Sequence, residues 1–420
     1  MKPLKFSPAH QNKNFAELVC SNSFKAQSVE NASGLLKKEL ETGGSLVLEA
    51  AYETKVPAGG ALAVDRERFS GYITKKIKSN ENIEIISGEV EKIDRDKINI
   101  IASGPLTSES LQQEIKNIVG EDCLYFFDAA APIIDVKSID FTSAFYASRY
   151  GKGEKDYINC PLTKDEYEVF YRELVSAKTA ALMGFDREYI EKNVFEGCMP
   201  VEAAAKRGAE TLLYGCMKPV GITDKTGKRP HAVVQLRQDN SEGTLYNIVG
   251  FQTNLTFSEQ KRVFSLIPAL KNCEFLRYGV MHRNTFINSP RLLDCAYNLK
   301  KDKNIYFAGQ ITGTEGYICS AASGFAAGVA AAGKIINEDS GAIFPKFTAI
   351  GALAHYISDA SVGDFQPMAI NFGIIEAPGE KIKGGKKAVK QRTAEIALEY
   401  MKFWKNSQKY QKDIEKHDKT

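Results

Sequence analysis

The chain has 420 residues, of which 43% are hydrophobic and 25% charged, with a formal net charge of +3. These proportions suit a globular protein of two to three domains with a substantial core, and the small net charge neither demands nor excludes a nucleic-acid partner. They argue against membrane and exported classes: no apolar run approaches the roughly 20 residues that span a bilayer, and the N-terminus has no apolar signal core, so a cytoplasmic chain without a membrane partner is expected. The eight cysteines include no Cys-x-x-Cys pair, so reduced thiols and no metal site are expected.

Taken in order, Lys13 to Val19 is a short apolar patch that ends at Cys20. The polar residues Ser21, Asn22 and Ser23 are predicted to begin a helix, a position that would raise the thiolate fraction of Cys20; read alone, Cys20 is a buried structural thiol. Val56 to Asp65 reads as a Pro/Gly/Ala turn and an apolar run, and Phe69 to Lys78 as an amphipathic helix. Strands are predicted at Ile83 to Ile86 and Lys97 to Ala102, with charged hairpin residues between them. The second strand runs into Ser103-Gly104-Pro105, either a strand stop or a turn where a strand meets a cofactor.

From Ala129 to Ile287 aromatics, short strands and charged turns increase, which predicts an inserted α+β domain. Helices are expected at Lys164 to Ala177 and Val201 to Arg207, and strands at His231 to Leu236 and Leu245 to Gln252. Cys198 precedes Met199 and Pro200, with Lys206 and Arg207 close enough in sequence to favour a thiolate and Glu202 opposing it; a packed cysteine is the alternative. Lys218, Lys228, Arg229 and Arg237 make this the most basic region, either a solvated face or a set of phosphate contacts. His282, Arg283 and Asn284 lie in a polar-aromatic run where a lone histidine reads as structural.

Ile305 to Ala308 is predicted to be a buried strand ended by Gly309. Gly313 and Gly316 allow a tight loop. After Tyr317 the residues turn small, with Ser320, Ala321, Ala322 and Gly324. A helix of such residues packs close to a flat partner, and its N-terminus suits an anion or an electron-rich ring edge. Strand, glycine loop and small-residue helix fit the second dinucleotide-contacting segment of a flavoprotein, or an ordinary α/β core. Beyond residue 341 the chain is predicted to be mainly helical, with an amphipathic helix over Gln391 to Trp404 and a solvated end.

Several long motifs carry a resemblance: Phe15-Ala-Glu-Leu-Val-Cys-Ser-Asn-Ser23, Val56-Pro-Ala-Gly-Gly-Ala-Leu-Ala-Val-Asp65, Phe195-Glu-Gly-Cys-Met-Pro200, Tyr278-Gly-Val-Met-His-Arg-Asn-Thr-Phe-Ile-Asn288, the 305–328 stretch and Phe365-Gln-Pro-Met-Ala-Ile-Asn-Phe-Gly373. Together they resemble the folate- and FAD-dependent tRNA (uracil-5-)-methyltransferase family, TrmFO, related to the GidA-type flavoproteins. The resemblance implies an α/β fold, a two-dinucleotide-binding, Rossmann-like FAD domain with an inserted α+β domain. Expected boundaries are 1–128 and 288–340 for the FAD domain, 129–287 for the substrate and RNA domain, and 341–420 for a C-terminal helical segment.

Members open on a Gly-x-Gly-x-x-Gly βαβ unit. The first ten residues here resemble the segment just C-terminal to that unit, so the expectation is a chain lacking the first βαβ unit, with weak FAD binding and poor solubility.

The resemblance also implies the chemistry. Uracil C5 becomes enolate-like once a thiolate adds to C6. It places Cys198 as that thiolate and Cys20 as a second active-site cysteine. Gly104, Gly309, Gln310, Gly313, Gly316, Ser320 and Ala321 are implied to contact FAD, and His282, Arg283 and Asn284 to line the folate or substrate pocket. Lys218, Lys228, Arg229 and Arg237 become candidate RNA contacts. The carbon donor would be 5,10-methylenetetrahydrofolate, the reductant FAD reduced by NADPH or NADH, and the partner tRNA rather than DNA, with a T-loop uridine extruded for reaction. Alternatives are a flavin-less RNA-binding remnant and a GidA-like or ribosomal-RNA uridine-modifying flavoprotein.

Overall fold

A computed structural model of the chain describes residues 6, 10–121, 123–151, 154–181, 199–224, 226–336, 343–363, 365–380 and 382–417. Near the start, strands β1 (Ser23–Ala26), β2 (Lys55–Val56) and β3 (Ala61–Val64) form a small antiparallel sheet in the order β1-β3-β2. Gly59, at φ 57°, makes the β2–β3 turn. Asp65 then stops the sheet and starts the helix Arg66–Lys78, its carboxylate accepting from the amides of Glu67 (3.1 Å) and Arg68 (3.0 Å).

Strand β4 (Asn99–Ile101) has its partner some two hundred residues later. It runs parallel to β14 (Asp302–Phe307), and β13 (Asn298–Leu299) lies antiparallel on the far side of β14. Ile305 and Phe307 are fully buried, as the apolar run predicts. The helix Tyr317–Ile335 follows the glycine loop and sends Ile318, Cys319, Ala322, Ala326 and Ala327 into the main core. By length and composition this helix is apolar enough to cross a membrane; here it is a core helix beside Ala32–Gly43 and Ala349–Tyr356.

A two-stranded ribbon carries the chain out of this region and back. In it β5 (Leu124–Ala129) pairs antiparallel with β12 (Met281–Phe286) along its whole length. Between them lies a second lobe with its own core, built on a six-stranded antiparallel sheet. The strands are β6 (Ile133–Asp135), β7 (Phe145–Ala147), β8 (Tyr157–Leu162), β9 (Ala232–Gln238), β10 (Leu245–Ile248) and β11 (Phe275–Arg277), in the order β11-β6-β10-β9-β8-β7. The helix Lys164–Ser176 opens with a capping box, Thr163 and Glu166 each bonding the other's backbone.

Three expected elements differ. No strand forms at Ile83 to Ile86, where Ile83 and Ile86 are 44% and 84% exposed; a short apolar run becomes a strand only where a ladder and a covering face meet it. No helix begins at Ser21. Its hydroxyl accepts from the amide of Ser23 and the chain passes straight into β1, so Cys20 is not at a helix N-terminus. The C-terminal helix is longer than predicted, Gly385–His417; it packs on Ala32–Gly43 and buries Ala394, Ala397 and Met401.

Glu39 supplies a test of the core. Its fully buried carboxylate accepts from the amides of Ala349 (2.7 Å) and Ile350 (2.9 Å) at the start of the helix Ala349–Tyr356. Burial, opposed by those two amides, pushes its pKa from 4.5 up to about 8. As pH rises between those values the unfolded chain ionises at this position while the folded chain does not, so this contribution to stability is present below pH 4.5 and is lost by about pH 8. Glu39→Gln does not titrate. Its thermal midpoint relative to the parent protein is expected to rise between pH 5 and pH 9; a constant difference across that range rejects the assignment.

Candidate functional site

The loop after β14 is folded on itself by small polar side chains. The Gly309 amide donates to Ser323 Oγ (2.7 Å), and its carbonyl accepts from Thr312 Oγ1 (2.8 Å) and Thr314 Oγ1 (3.0 Å). Gly309, Gly313 and Gly316 lie at φ 80°, 81° and 93°, where a side chain is strained. No side chain caps the helix Tyr317–Ile335 at Gly316, so its first turn faces a cavity of about 1010 Å3 with its amides available.

Cys20 lines the same cavity. Its amide donates to Tyr317 Oη (2.8 Å), and its Sγ–H points to the Ala129 carbonyl at 3.7 Å. The helix-opening residue Tyr317 and the end of β5 thus hold Cys20 from two sides. Asp128 and Glu315 are buried members of the wall. Gln310 Nε2 donates to Glu315 Oε2 (2.6 Å). Burial, reinforced by Asp128, pushes the Glu315 carboxyl well above the usual carboxylate range. Lys25 enters the cavity from β1 with φ 65°, an uncommon backbone for lysine. Among the described residues no three His, Cys, Asp or Glu side chains are grouped to hold a metal ion.

Of the residues implied to contact FAD, Gly104, Gly309, Gln310, Gly316 and Ser320 line the cavity. Gly313 and Ala321 do not: Gly313 lies against the Phe365 ring and Ala321 packs on the core. The residues present fit the ring end of a flavin: glycine backbone at Gly104 and Gly309 approached from two strand ends, and an uncapped helix N-terminus for an electron-rich edge.

Other expected site residues divide. Cys198 lies outside the described residues, as does the side chain of His282, whose backbone pairs with Asp128. Arg283 and Asn284 do not line the cavity. The β12–β5 pairing puts Arg283 over the Tyr125 ring, 4.5 Å from its centre, and buries Asn284 completely. Lys228 and Arg229 are exposed and Lys218 is half-buried. Arg237 is the clear correction. It is buried, not part of a basic surface, and donates to Asn22 Oδ1 and Ser21 Oγ, each at 3.0 Å. β9 points it inward, and a side chain's direction within a strand depends on a register that counting cations does not reveal.

Sequence reasoning missed Arg66, Asp128, Glu315 and Arg277. Glu315 and Tyr317 sit within the glycine motif and were legible as its polar members. Arg66 and Arg277 carry no local signal, since the backbone they bond lies 46 and 258 residues away.

Comparison with known proteins agrees with this architecture. The family described as glucose inhibited division protein A, GIDA, matches residues 4–339. The protein named methylenetetrahydrofolate–tRNA-(uracil-5-)-methyltransferase TrmFO from Acetivibrio thermocellus is 58% identical over 406 residues, 96% of this chain and 91% of that protein. The one from Desulforamulus reducens is 56% identical over 410 residues, 97% and 92%. The Aquifex aeolicus GidA crystal structure, form II, superposes with a TM-score of 0.64 at 15% identity, covering 95% of this chain and 70% of that one. With a family match across most of its length and relatives more than half identical to it, the chain belongs to the GidA family, on its TrmFO branch.

Proposed function

We propose that the chain methylates C5 of a uridine in tRNA, taking the carbon from 5,10-methylenetetrahydrofolate and using FAD, with NADPH or NADH as the source of electrons. The observation that carries this reading is the placement of Cys20 in one cavity with the glycine loop and the uncapped helix N-terminus. A uracil methylation of this type needs a thiol, a group that handles the C5 proton, and a hydride donor in one enclosure. Bound FAD would supply the reducing equivalents there.

The chain's own residues take the remaining parts. Cys198 is assigned as the thiolate that adds to uracil C6. Val201, three residues later, donates its amide to the carbonyl of Gln252 (2.7 Å), and Gln252 lines the cavity. Cys20 is assigned to the C5 proton, with its S–H oriented by the Ala129 carbonyl. Glu315, a buried carboxyl on the cavity wall, is suited to hydrogen-bond the uracil. Residues 129–287 would form the RNA-facing domain.

The test is transfer of label from [14C]methylenetetrahydrofolate to a tRNA transcript in the presence of NADPH, with a ribosomal-RNA fragment alongside. Label in the tRNA that disappears with Cys198→Ala, in a variant that keeps its flavin, is the expected result. Label confined to ribosomal RNA, or wild-type labelling by the variant, rejects the reading.

A second expectation concerns the exposed Lys228 and Arg229. Replacing both by Ala should raise KM for tRNA while leaving kcat within about twofold. Removing two cations that neutralise phosphates should also reduce the steepness of log K against log salt by roughly two. An unchanged salt slope would place the RNA elsewhere.

A further inference from the structure

We propose that Arg66, Arg237 and Arg277 form a clasp that positions Cys20 and makes its thiol sensitive to how the two lobes dock. This rests on Cys20 being an active-site cysteine. Residues 18–22 are irregular backbone between the start of the chain and β1; the Asn22 carbonyl accepts from the Val64 amide of β3 (3.0 Å), but the carbonyls of Leu18, Val19 and Cys20 are bonded by no strand or helix. Each of the five receives a guanidinium hydrogen bond. Arg66 donates through Nη1 to the Leu18 carbonyl (2.7 Å) and through Nη2 to the Cys20 carbonyl (3.0 Å). Arg277 Nη2 donates to the Val19 carbonyl (2.8 Å). Arg237 takes the Ser21 and Asn22 side chains.

The donors come from both lobes. Arg66 opens the helix that succeeds the small sheet, whereas Arg237 and Arg277 sit on β9 and β11 of the six-stranded sheet. Asp239, just past β9, grips Arg66 Nε with both carboxylate oxygens, at 2.9 and 3.1 Å. The ion pair is almost wholly buried, with side-chain exposures of 11% and 3%. Burial holds the Arg237 and Arg277 guanidiniums below the usual arginine range, Arg66 adding to the effect on each. Apolar side chains of similar volume would join two lobes with less desolvation. What they lack is donors for the Leu18, Val19 and Cys20 carbonyls and the Ser21 and Asn22 side chains. A shift of β9 or β11 relative to the first lobe therefore moves Ser21, Asn22 or Val19, and with them the adjacent Cys20 thiol.

The experiment measures alkylation by N-ethylmaleimide in the full-length protein, residue by residue, by peptide mass spectrometry. Arg66→Ala and Arg277→Ala should each raise the Cys20 rate about tenfold or more, the factor set by one lost hydrogen bond from a charged donor. Cys160 and Cys273, buried in the second lobe, should stay protected. Arg277→Lys, which keeps a donor for the single Val19 carbonyl, should return the rate to within about threefold of the parent. Arg66→Lys should not, because an ammonium cannot span Asp239 and two carbonyls. Arg149→Ala is the control: it bonds Gln235 Oε1 and the Val220 carbonyl in the same lobe without touching the loop, and should leave Cys20 unchanged.

An unchanged Cys20 rate in the two alanine variants overturns the clasp. So does a rise shared equally by Cys160 and Cys273, since the arginines would then hold the lobe and not the loop. If instead Cys20→Ala retains full methylation, the catalytic reading of Cys20 fails while the alkylation result stands by itself.

Discussion

Cys20→Ala is expected to lower methylation by roughly 10²–10⁴-fold, the range for a side chain that transfers a proton in the rate-limiting region of a reaction. Its thermal midpoint should stay within a degree or two of the parent. The reason is geometric: the Cys20 amide, which the substitution keeps, makes the bond to Tyr317 Oη, and the thiol's own hydrogen bond is a long one to the Ala129 carbonyl. Little packing is sacrificed while the thiol that lines the cavity is removed. Cys160 and Cys273 provide the contrast. Both are buried in the second lobe's core, and burial pushes their thiols up, Cys273 to about 11, so each is inert at neutral pH. Their replacement by Ala should leave activity per folded molecule unchanged. Methylation by Cys20→Ala at more than a tenth of the parent rate would remove Cys20 from the mechanism.

Gly313→Val should cost both stability and flavin. At φ 81° a β-branched residue is strained by about 1–3 kcal/mol, and its Cβ would stand 2.5 Å from Phe365 Cζ. Phe365 is itself buried against Phe286 and Tyr356, so the ring has little room to turn away. Overpacking adds about 1–3 kcal/mol. The midpoint should therefore fall by roughly 2–7 °C. The Gly313 carbonyl accepts from the Met368 amide and the Met368 carbonyl from the Glu315 amide, so the strain passes directly to Glu315 and the helix start facing the cavity. Flavin retained on desalting should drop in parallel. A variant that melts like the parent and keeps its flavin would show that the loop tolerates a side chain there.

The glycine loop was legible because its signals are local. Ile305 to Ala308 is apolar over a strand's length, Gly309 stops it, and Tyr317 onward is small enough for a close-packed helix; each property acts within a few residues. The Cys20 loop was not legible in the same way. Ser21 and Asn22 are good helix starters, but the chain passes at Ser23 into β1, which pairs with β3, and Arg237, more than two hundred residues away, bonds both side chains. Ile83 to Ile86 failed for the opposite reason: its composition suits a strand, but no covering face meets it.

What the sequence determined by itself is the set of parts: the strand–glycine–helix unit, the helix after Asp65, the separate character of the middle region, and the motifs that carry the family. Backbone propensity, capping and hydrophobic period act at short range, so they survive in any arrangement of the lobes. The tertiary structure alone decided which charges face solvent and which are buried. Arg237 reads like Lys228 and Arg229 in a tally of cations, yet strand register turns it toward Ser21 and Asn22 while the other two remain exposed. Burial of a guanidinium is set by partners brought from other lobes, and that information is non-local, spread over Arg66, Asp239, Arg277 and the five residues they hold.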